Sequence, residues 1–197
     1  MAVNRPATAS DFQCYDDLAQ HFVEGVDYAV HVGFRAASRV AVLAPHGGRI
    51  EGRTSEIARL IAGSEHRLYL FEGLRTTGDN FDCLHLGSHF FDEPRAIGLV
   101  ADCDTVIAVH GYAASGADVL LGGLDAALKR SIARALGGAG FTYLTDGHRF
   151  PGSHPRNICN RGRTGAGVQL ELSEGLRKAG DWSALAETVR GVLSGGS

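Results

Sequence analysis

The sequence predicts an α/β fold: a single domain with a mainly parallel or mixed sheet and helices on both faces. Three observations lead to this prediction. The runs "RVAVLA" and "DTVIAVHG" are continuously apolar, as is typical of strands covered on both sides. Segments with helical spacing of apolar residues alternate with such runs. The 197 residues are 44% hydrophobic, which suffices for one core, so we expect one domain over residues 1–197, with a helical segment at 1–24 and a polar tail at 194–197.

The first part of the chain alternates helix and strand signals. Ser10 and Gln13 form a capping box, which predicts a first helix. Its apolar side comprises Phe12, Tyr15, Leu18, Ala19 and Phe22. "VDYAVHV" and "RVAVLA" predict two strands, and "RLYLFEG" predicts a third. Between the second and third, Thr54 is expected to cap a helix that ends at Gly63. The inner face of that helix comprises Ile57, Leu60 and Ile61.

The second part continues the alternation. Asp92 and Pro94 suit the start of a helix that runs to about Cys103, and "DTVIAVHG" then predicts a strand. "VLLGG" precedes a helix, which a pair of glycines ends. This helix is predicted from the spacing of Leu124, Leu128, Ile132 and Leu136. "FTYL" and "GVQLEL" predict two more strands, and Asp181 is expected to cap a last helix.

Charge and hydropathy restrict the classes of partner. The net charge of −3 provides no basic field for nucleic acid, so any anionic ligand must be held by a local group of arginines. No apolar run approaches the roughly 18 residues of a membrane helix, and the first residues lack the apolar segment of a signal peptide. We therefore expect that the protein is synthesised in the cytoplasm and does not associate with a membrane. The four cysteines form no Cys-x-x-Cys pair, which argues against a zinc ribbon or a redox motif.

Four reactive side chains are expected at one edge of the sheet, because ligands of open α/β sheets bind beyond the carboxyl ends of the strands. His46 and Glu51 occur in "APHGGRIEG" after one strand, His110 ends another, and Glu171 lies late in a third. The two glycines after His46 are expected to allow a tight turn that brings His46 and Glu51 to one ion. Two histidines and one carboxylate with an open fourth position form a catalytic zinc set, and a separate carboxylate then serves as general base. The alternative for each residue is an ordinary loop or solvated side chain.

Several segments, in order along the chain, resemble the poly-γ-glutamate hydrolase family of bacteria and their phages. They are "APHGGRIEGRTSEIA", "LYLFEG", "HFFDEP", "DTVIAVHGY" and "NICNRGRTGAGVQLELS". The resemblance implies a hydrolase with one Zn²⁺ per chain, a fold similar to the zinc carboxypeptidases, and cleavage of γ-glutamyl amide bonds. It implies that His46, Glu51 and His110 bind the metal and that Glu171 is the catalytic base. Tyr112 resembles the second residue of the carboxypeptidase His-x-Tyr run.

The sequence departs from the carboxypeptidases in two places. Their first two metal ligands are spaced His-x-x-Glu, whereas four residues separate His46 from Glu51. Their Asn-Arg pair, which grips the substrate carboxylate, precedes the last ligand, whereas Asn160 and Arg161 follow His110. The geometry at the metal and the roles of the arginines therefore cannot be copied from those enzymes.

A poly-γ-glutamate substrate carries a carboxylate on every unit, and bidentate arginine is well shaped to hold it. "SHPRNICNRGR" contains Arg156, Arg161 and Arg163, with two asparagines as amide donors, and Arg53 follows the first metal motif. The predicted substrate-binding residues are Arg53, Tyr112, Asn160, Arg161 and Arg163. Solvated surface charges remain the alternative for the arginines.

Two long connections, residues 73–91 and 145–167, are expected to be functional, because long ordered loops in a compact domain seldom lack a role. The first contains His85 and His89, whose spacing suits a second metal, although a hydrogen-bonding or surface role is the expectation for such a loop pair. In the second connection, His148 and His154 are candidates to line a substrate groove.

The predicted function is endo-acting, zinc-dependent hydrolysis of poly-γ-glutamate by a monomer. Because that polymer is extracellular, release by cell lysis would bring enzyme and substrate together. One alternative is a zinc amidase or carboxypeptidase acting on peptidoglycan stems, which also contain γ-linked glutamate. Another is a non-catalytic module that binds metal or polyanions. The presence of Glu171 beside the ligand set argues against the module, because a structural zinc site needs no base.

Overall fold

A computed structural model describes residues 12–195 of the chain. Seven strands form one sheet: β1 (Tyr28–Gly33), β2 (Val40–Gly48), β3 (Arg67–Gly73), β4 (Thr105–Tyr112), β5 (Asp118–Gly122), β6 (Thr142–Leu144) and β7 (Val168–Ser173). Their order across the sheet is β1-β3-β2-β4-β7-β5-β6. The four central strands β3, β2, β4 and β7 are parallel, whereas β1 and β5 run antiparallel to β3 and β7. The prediction of a mixed α/β sheet is confirmed.

Helices cover both faces of this sheet, as the sequence predicted. They are α1 (Tyr15–Ala19), α2 (Thr54–Ala62), α3 (Asn80–Leu84), α4 (Pro94–Val100), α5 (Ala126–Gly138), α6 (Glu174–Ala179) and α7 (Trp182–Ser194), and a short 3₁₀ helix spans Ile158–Asn160. Within residues 12–195, none of the helices has both the length and the apolar character needed to cross a membrane.

Side chains of the parallel strands alternate between two hydrophobic layers. The first layer, called the α2 face, packs strand residues such as Val42 and Val109 against α2, α5 and α7. The second layer, called the α4 face, packs strand residues such as Leu43 and Phe71 against α1, α3, α4 and the 3₁₀ helix. Because the parallel strands share one direction, their carboxyl ends meet at one edge of the sheet, between the two layers.

Several sequence predictions are corrected by this structure. "DVLLG" is strand β5, which the sequence treated only as a lead into a helix, and that helix begins after the cap Asp125, so Leu124 is not in it. The short helices α3 and α6 were not predicted. The first helix begins only at Tyr15, after Cys14 as its N-cap. The predicted cap Ser10 and the last two residues of the predicted tail lie outside the described residues.

Two helix boundaries also differ from prediction. Arg53, not Thr54, precedes α2 as its N-cap, and Leu60 is 39% exposed, because the buried side of α2 is formed by Ile57, Ala58, Ile61 and Ala62. Glu93, not Asp92, caps α4 through a hydrogen bond from the Ala96 N–H to its side chain. The predicted stop at Gly63 and the predicted cap Asp181 of the last helix are present.

Candidate metal centre and its cleft

The sequence suggested that His46 lies beyond the end of a strand. In the structure it lies within β2, at an irregularity of that strand. The strand pairs with β3 up to Ala44 and again from Gly47. Pro45 and His46 therefore lie opposite one residue, Phe71, which is the pattern of a β-bulge. Because strand side chains alternate between faces, the extra residue moves His46 onto the α4 face. The bulge, more than the turn after it, aims the imidazole at the site.

The turn after the bulge fixes Glu51 relative to His46. The Glu51 N–H donates to the His46 carbonyl at 2.8 Å, and the Thr54 hydroxyl donates to the Glu51 carbonyl at 2.8 Å. Gly48 has a φ of +61°, and a Cβ at this position would lie 2.6 Å from the carbonyl oxygen of Gly73 in β3. A glycine is therefore required here both by backbone conformation and by the close approach of β3.

The His46 ring is oriented by a main-chain contact. Its Nε2 lies 2.8 Å from the carbonyl oxygen of Leu86, so Nε2 carries the proton and donates. The lone pair of Nδ1 then faces the site, 3.2 Å from Glu51 Oε1 and 3.1 Å from His110 Nδ1. Burial, with the charge of His85 adding to it, lowers the pKa of His46 to about 4. The imidazole is therefore neutral at physiological pH, as a metal ligand must be.

The Glu51 carboxylate lies at the centre of the cluster. Its Oε1 is 3.2 Å from His46 Nδ1 and 3.2 Å from His85 Nε2. Its Oε2 accepts a hydrogen bond from the Gly111 N–H at 2.8 Å and lies 3.6 Å from His110 Nδ1. Burial alone would raise the pKa of Glu51, but the three neighbouring histidines outweigh it and hold the pKa well below its usual range. The carboxylate is ionised at neutral pH.

His85 is a donor of the cluster, although the sequence favoured a hydrogen-bonding or surface role for it over a second metal site shared with His89. It follows α3 in the first long connection, its ring centroid lies 3.9 Å from that of His46, and it stacks on Phe81. Donor atoms of His46, Glu51 and His85 all lie within 4.8 Å of one another. The available signal was the place of His85 in a long connection, but sequence spacing could not show that the connection folds over His46.

The donor set fits zinc in chemistry and spacing. Imidazole nitrogen and carboxylate oxygen are preferred zinc ligands, and ligand atoms about 2.1 Å from a tetrahedral ion lie about 3.4 Å apart. His46 Nδ1 lies 3.1 Å from His110 Nδ1 and 3.2 Å from Glu51 Oε1, and the other oxygen of Glu51, Oε2, lies 3.6 Å from His110 Nδ1. All three side chains are buried. These residues, with His85 at the side of Glu51, can hold a zinc ion.

Glu171 lies beside the cluster on the neighbouring strand. Register pairs it with His110 across β4 and β7, so both side chains lie on the same face. Its Oε1 accepts a hydrogen bond from Gln169 Nε2 at 2.8 Å, and Gln169 Oε1 in turn accepts one from Asn157 Nδ2 at 2.8 Å. Burial raises the pKa of Glu171 to about 7, against the lowering effect of the nearby His110. Its carboxyl group can therefore gain or lose a proton near neutral pH.

A cleft of about 610 Å³ opens over these residues. Both long connections contribute to its walls, as expected for functional loops. The first connection contributes Phe81, His85, Ser88 and His89, and the second contributes Arg149, Phe150, His154 and Asn157 among others. Tyr112 also lines the cleft, and its hydroxyl donates to Asp118 at 2.9 Å. The cluster of His46, Glu51, His85 and His110 thus lies with Glu171 at the base of an accessible groove.

Four predicted substrate-binding residues do not line this cleft. Arg53 is exposed ahead of α2, where it pairs with Glu56 at 3.0 Å and stacks over Trp182. Arg163 pairs with Asp104, immediately before β4, at the opposite edge of the sheet from the cluster. Arg161 is close to it in the chain and is likewise absent from the cleft walls.

Asn160, the fourth of these residues, is 2% exposed and holds loops together. Its Oδ1 accepts hydrogen bonds from the N–H groups of Leu124 and Gly167, and its Nδ2 donates to the carbonyls of Gly152 and His154. These hydrogen bonds hold the connection that forms one wall of the cleft. Asn160 itself does not line the cleft.

Arg149 is the arginine in the cleft wall, and sequence reasoning did not select it. It is exposed and lies over the Phe150 ring at 4.8 Å. His89 and His154 lie in the same walls with ring centroids 5.4 Å apart, and His148 instead hydrogen-bonds the Leu121 carbonyl. No spacing in the sequence distinguishes Arg149 from other arginines, because its position depends on how the second connection folds.

Comparison with known proteins agrees with the resemblance in the sequence. The model of a family described as poly-gamma-glutamate hydrolase matches residues 12–181. The protein YndL of Bacillus subtilis (strain 168) is 40% identical over an alignment of 172 residues, which covers 83% of this chain and 67% of YndL.

Two solved structures have a similar fold. The structure of a bacteriophage poly-gamma-glutamate hydrolase superposes with a TM-score of 0.85 at 29% identity and covers 93% of this chain and 96% of its own. The zinc-free form of YndL also gives a TM-score of 0.85, at 34% identity, and covers 93% of this chain and 97% of its own. The fold described above is thus shared with these two proteins.

Proposed function

Because this chain belongs to the poly-gamma-glutamate hydrolase family, we propose that it is a zinc-dependent hydrolase that cleaves γ-glutamyl amide bonds within poly-γ-glutamate. One observation supports this most strongly: a buried cluster of two histidines and a carboxylate lies beside a protonatable carboxyl group at the base of an open cleft. We also propose that the chain forms one domain, because both hydrophobic layers pack on a single sheet.

We propose that His46, Glu51 and His110 hold one zinc ion. His110 is preferred to His85 because it is 2% exposed and its Nδ1 lies near both other donors, whereas the His85 side chain is 26% exposed at the cleft. The solved structure of YndL, which superposes with a TM-score of 0.85, is described as the zinc-free form, and this supports zinc as the metal. Zinc bound by three protein ligands supplies Lewis acidity, which polarises a carbonyl and favours ionisation of water.

Glu171 is the proposed general base. Its carboxyl group shares the face of the sheet with His110 and is held by Gln169, so its orientation is fixed. In amide hydrolysis it takes a proton from the attacking water and returns it to the nitrogen of the leaving amine. The hydrogen-bonded series Asn157, Gln169 and Glu171 keeps the carboxyl aimed into the cleft during both transfers.

The cleft suits a polyanionic substrate on one side. Arg149 provides a permanent positive charge in the wall, and guanidinium is the side chain best shaped for carboxylates. The pKa of His89 is lowered mainly by burial, then by the charge of His154, and then by the charge of Arg156. Arg156 therefore adds positive charge near this part of the cleft. We propose that Arg149 binds a free carboxylate of the polymer, in place of the arginines that the sequence favoured.

Cleavage within the chain is supported by a second hollow. It has a volume of about 330 Å³, is lined in part by Phe12 and Phe90, and shares Phe81, His85 and His89 with the main cleft. The two hollows therefore adjoin, and we propose that the polymer passes from one into the other. An exo-acting enzyme, in contrast, closes one side of its site around a chain end.

The proposed activity is tested by measuring new amino groups after incubation with poly-γ-glutamate and, separately, with a peptidoglycan stem peptide that contains a γ-glutamyl bond. Each γ-amide cleavage releases one amine, which an amine-reactive dye quantifies. We expect release from the polymer in the wild type and none in His46→Ala. Release from the stem peptide alone would favour an amidase, and release from neither, with zinc bound, would favour a binding module.

A further inference from the structure

A buried arginine, Arg177 of α6, lies behind the cluster and outside the cleft walls. It is 9% exposed, and each nitrogen of its guanidinium donates to a main-chain carbonyl. Nε donates to Leu172 at 3.1 Å, Nη1 to Gly52 at 2.6 Å and Nη2 to Tyr112 at 3.3 Å. One side chain therefore ties together three segments that are far apart in sequence.

Each of the three acceptors lies within two residues of a residue of the site. Gly52 follows Glu51, Leu172 follows Glu171, and Tyr112 is two residues after His110. A planar guanidinium has a fixed arrangement of donors, so three simultaneous hydrogen bonds fix the positions of their acceptors relative to one another. The segments that carry a metal-binding carboxylate, a metal-binding imidazole and the general base are thus held to a common point.

Gly111 makes room for this contact. A Cβ at Gly111 would lie 2.5 Å from both Cζ and Nε of Arg177. The same glycine follows His110 and donates its N–H to the Glu51 carboxylate at 2.8 Å. The glycine in "VHGY" therefore serves the approach of the guanidinium from behind and the hydrogen bond to Glu51.

The charge of Arg177 also fits this position. Burial lowers the pKa of the guanidinium, and the charges of Glu51, Glu174 and Glu171 oppose that effect. Two buried carboxyl groups of the site therefore interact favourably with one buried cation that does not bind them directly. Burying an arginine is costly unless its nitrogens find acceptors, and here each of the three nitrogens donates to a carbonyl.

We propose that Arg177 is a positioning residue that sets the separation of Glu51, His110 and Glu171 by holding the main chain beside each of them. The inference rests on the proposed function of these three residues. Groups that orient metal ligands from outside typically change metal affinity or activity by about 10- to 100-fold when they are removed. Zinc affinity and turnover should both depend on Arg177, although it contacts neither metal nor substrate.

The test compares Arg177→Met, which removes charge and donors at similar length, with Arg177→Lys, which keeps the charge. The matched control is Lys178→Met, because the Lys178 side chain on the same helix is 72% exposed. Zinc affinity is measured by competition with a chromophoric chelator, and kcat and KM are measured on poly-γ-glutamate with zinc in excess. We expect Arg177→Met to bind zinc about 10- to 100-fold more weakly and to lose kcat by a similar factor, with KM within about threefold. Arg177→Lys should fall between it and the wild type, and the control should match the wild type.

The proposal is overturned if Arg177→Met keeps zinc affinity and kcat within about twofold of the wild type, even if its melting temperature falls. That result would leave Arg177 with a role in stability alone. If Arg177→Met does not fold, Gly111→Ala displaces the guanidinium by a single methyl group and should weaken zinc binding likewise; unchanged zinc affinity in that variant also overturns the proposal. A wild type that binds zinc but leaves the polymer intact refutes the proposed function, and the zinc affinities alone then decide the role of Arg177.

Discussion

At the scale of single residues, the direction of each imidazole nitrogen decides what the cluster can bind. The Leu86 carbonyl accepts a hydrogen bond from Nε2 of His46, and Nδ1 therefore faces Glu51 and His110. The same logic applies to Glu51, whose Oε2 is fixed by the Gly111 N–H. The residue types of the site were predictable from the sequence, because His46, Glu51, His110 and Glu171 lie in or just after segments that predict strands. The atoms that face one another were not, since they depend on contacts such as the Leu86 carbonyl.

His85 and His110 can be distinguished by metal content. If His110 is the third ligand, His110→Ala should lose zinc on dialysis, whereas His85→Ala should retain about one ion per chain, because three protein ligands with an open position suffice for a catalytic site. Elemental analysis of both dialysed proteins, with circular dichroism to verify folding, makes the measurement. Retention of zinc in His110→Ala and its loss in His85→Ala would reverse the assignment.

Glu171 should matter for turnover and not for metal binding. Glu171→Gln keeps the size of the side chain and removes the proton acceptor, so kcat should fall by about 10²- to 10⁴-fold, the usual contribution of a general base. Zinc content should remain that of the wild type. Glu174→Gln is the matched control, because this glutamate lies three residues later at the start of α6 and pairs only with Lys178. A kcat within threefold of the wild type in Glu171→Gln would exclude the assigned role.

At the scale of elements, the sequence predicts the parallel strands well and their irregularities poorly. Continuous apolar runs identified β2 and β4, because burial on both faces leaves a strong compositional signal. The bulge at Pro45 and His46 has no such signal, yet it moves the imidazole to the face that carries His110 and Glu171. The edge of the sheet that carries the site was therefore predictable, and the bulge that turns His46 toward it was not.

The elements that were missed are short. The short apolar run Val119–Leu121 in β5 fits a strand as well as the approach to a helix, and periodicity alone cannot decide between them. Helix α6 has six residues and follows β7 directly, with Ser173 as its cap, so it shows no helical repeat in the sequence. Its importance comes from one side chain, Arg177, whose partners are main-chain atoms that no sequence pattern reports.

The conformation of Gly48, in the turn after the bulge, leads to a prediction about stability. Gly48→Ala places a Cβ at φ +61° and 2.6 Å from the Gly73 carbonyl. A left-handed conformation costs a non-glycine residue roughly 1–2 kcal/mol, and the close contact adds to this, so the free energy of unfolding should fall by at least that amount. Gly191→Ala in α7 is the control, because nothing lies within 4 Å of its added methyl group, and alanine should stabilise that helix by about 0.5–1 kcal/mol. Urea unfolding of both variants measures the difference, and equal effects would contradict the structural account of Gly48.

At the scale of the whole molecule, the overall charge opposes the proposed substrate. The chain carries a net charge of −3, so attraction of a polyanion must come from local groups in the cleft. Arg149 lies in the cleft wall, whereas Arg163 lies at the opposite edge of the sheet beside Asp104. The fold thus places Arg149 in the cleft and Arg163 away from it, although the sequence selected Arg163 for substrate binding and not Arg149.

Arg149 and Arg163 form a matched pair for testing this view. Arg149→Gln should raise KM for poly-γ-glutamate about tenfold, equivalent to ~1.4 kcal/mol, and leave kcat nearly unchanged, because the arginine binds a carboxylate away from the reacting bond. Arg163→Gln should leave both constants unchanged. Steady-state kinetics at low and high salt make the comparison, and an increase in KM for Arg163→Gln alone would return the substrate site to the residues favoured by the sequence.

The most direct test of the central claim is the size distribution of purified poly-γ-glutamate after incubation with the protein, measured by size-exclusion chromatography. Three samples are compared: untreated protein, protein treated with a chelator, and chelated protein supplied again with zinc. We expect rapid shortening of the whole distribution by the first and third samples and none by the second. Shortening that persists in the chelated sample, or an unchanged polymer in all three with zinc bound at one ion per chain, would contradict the account.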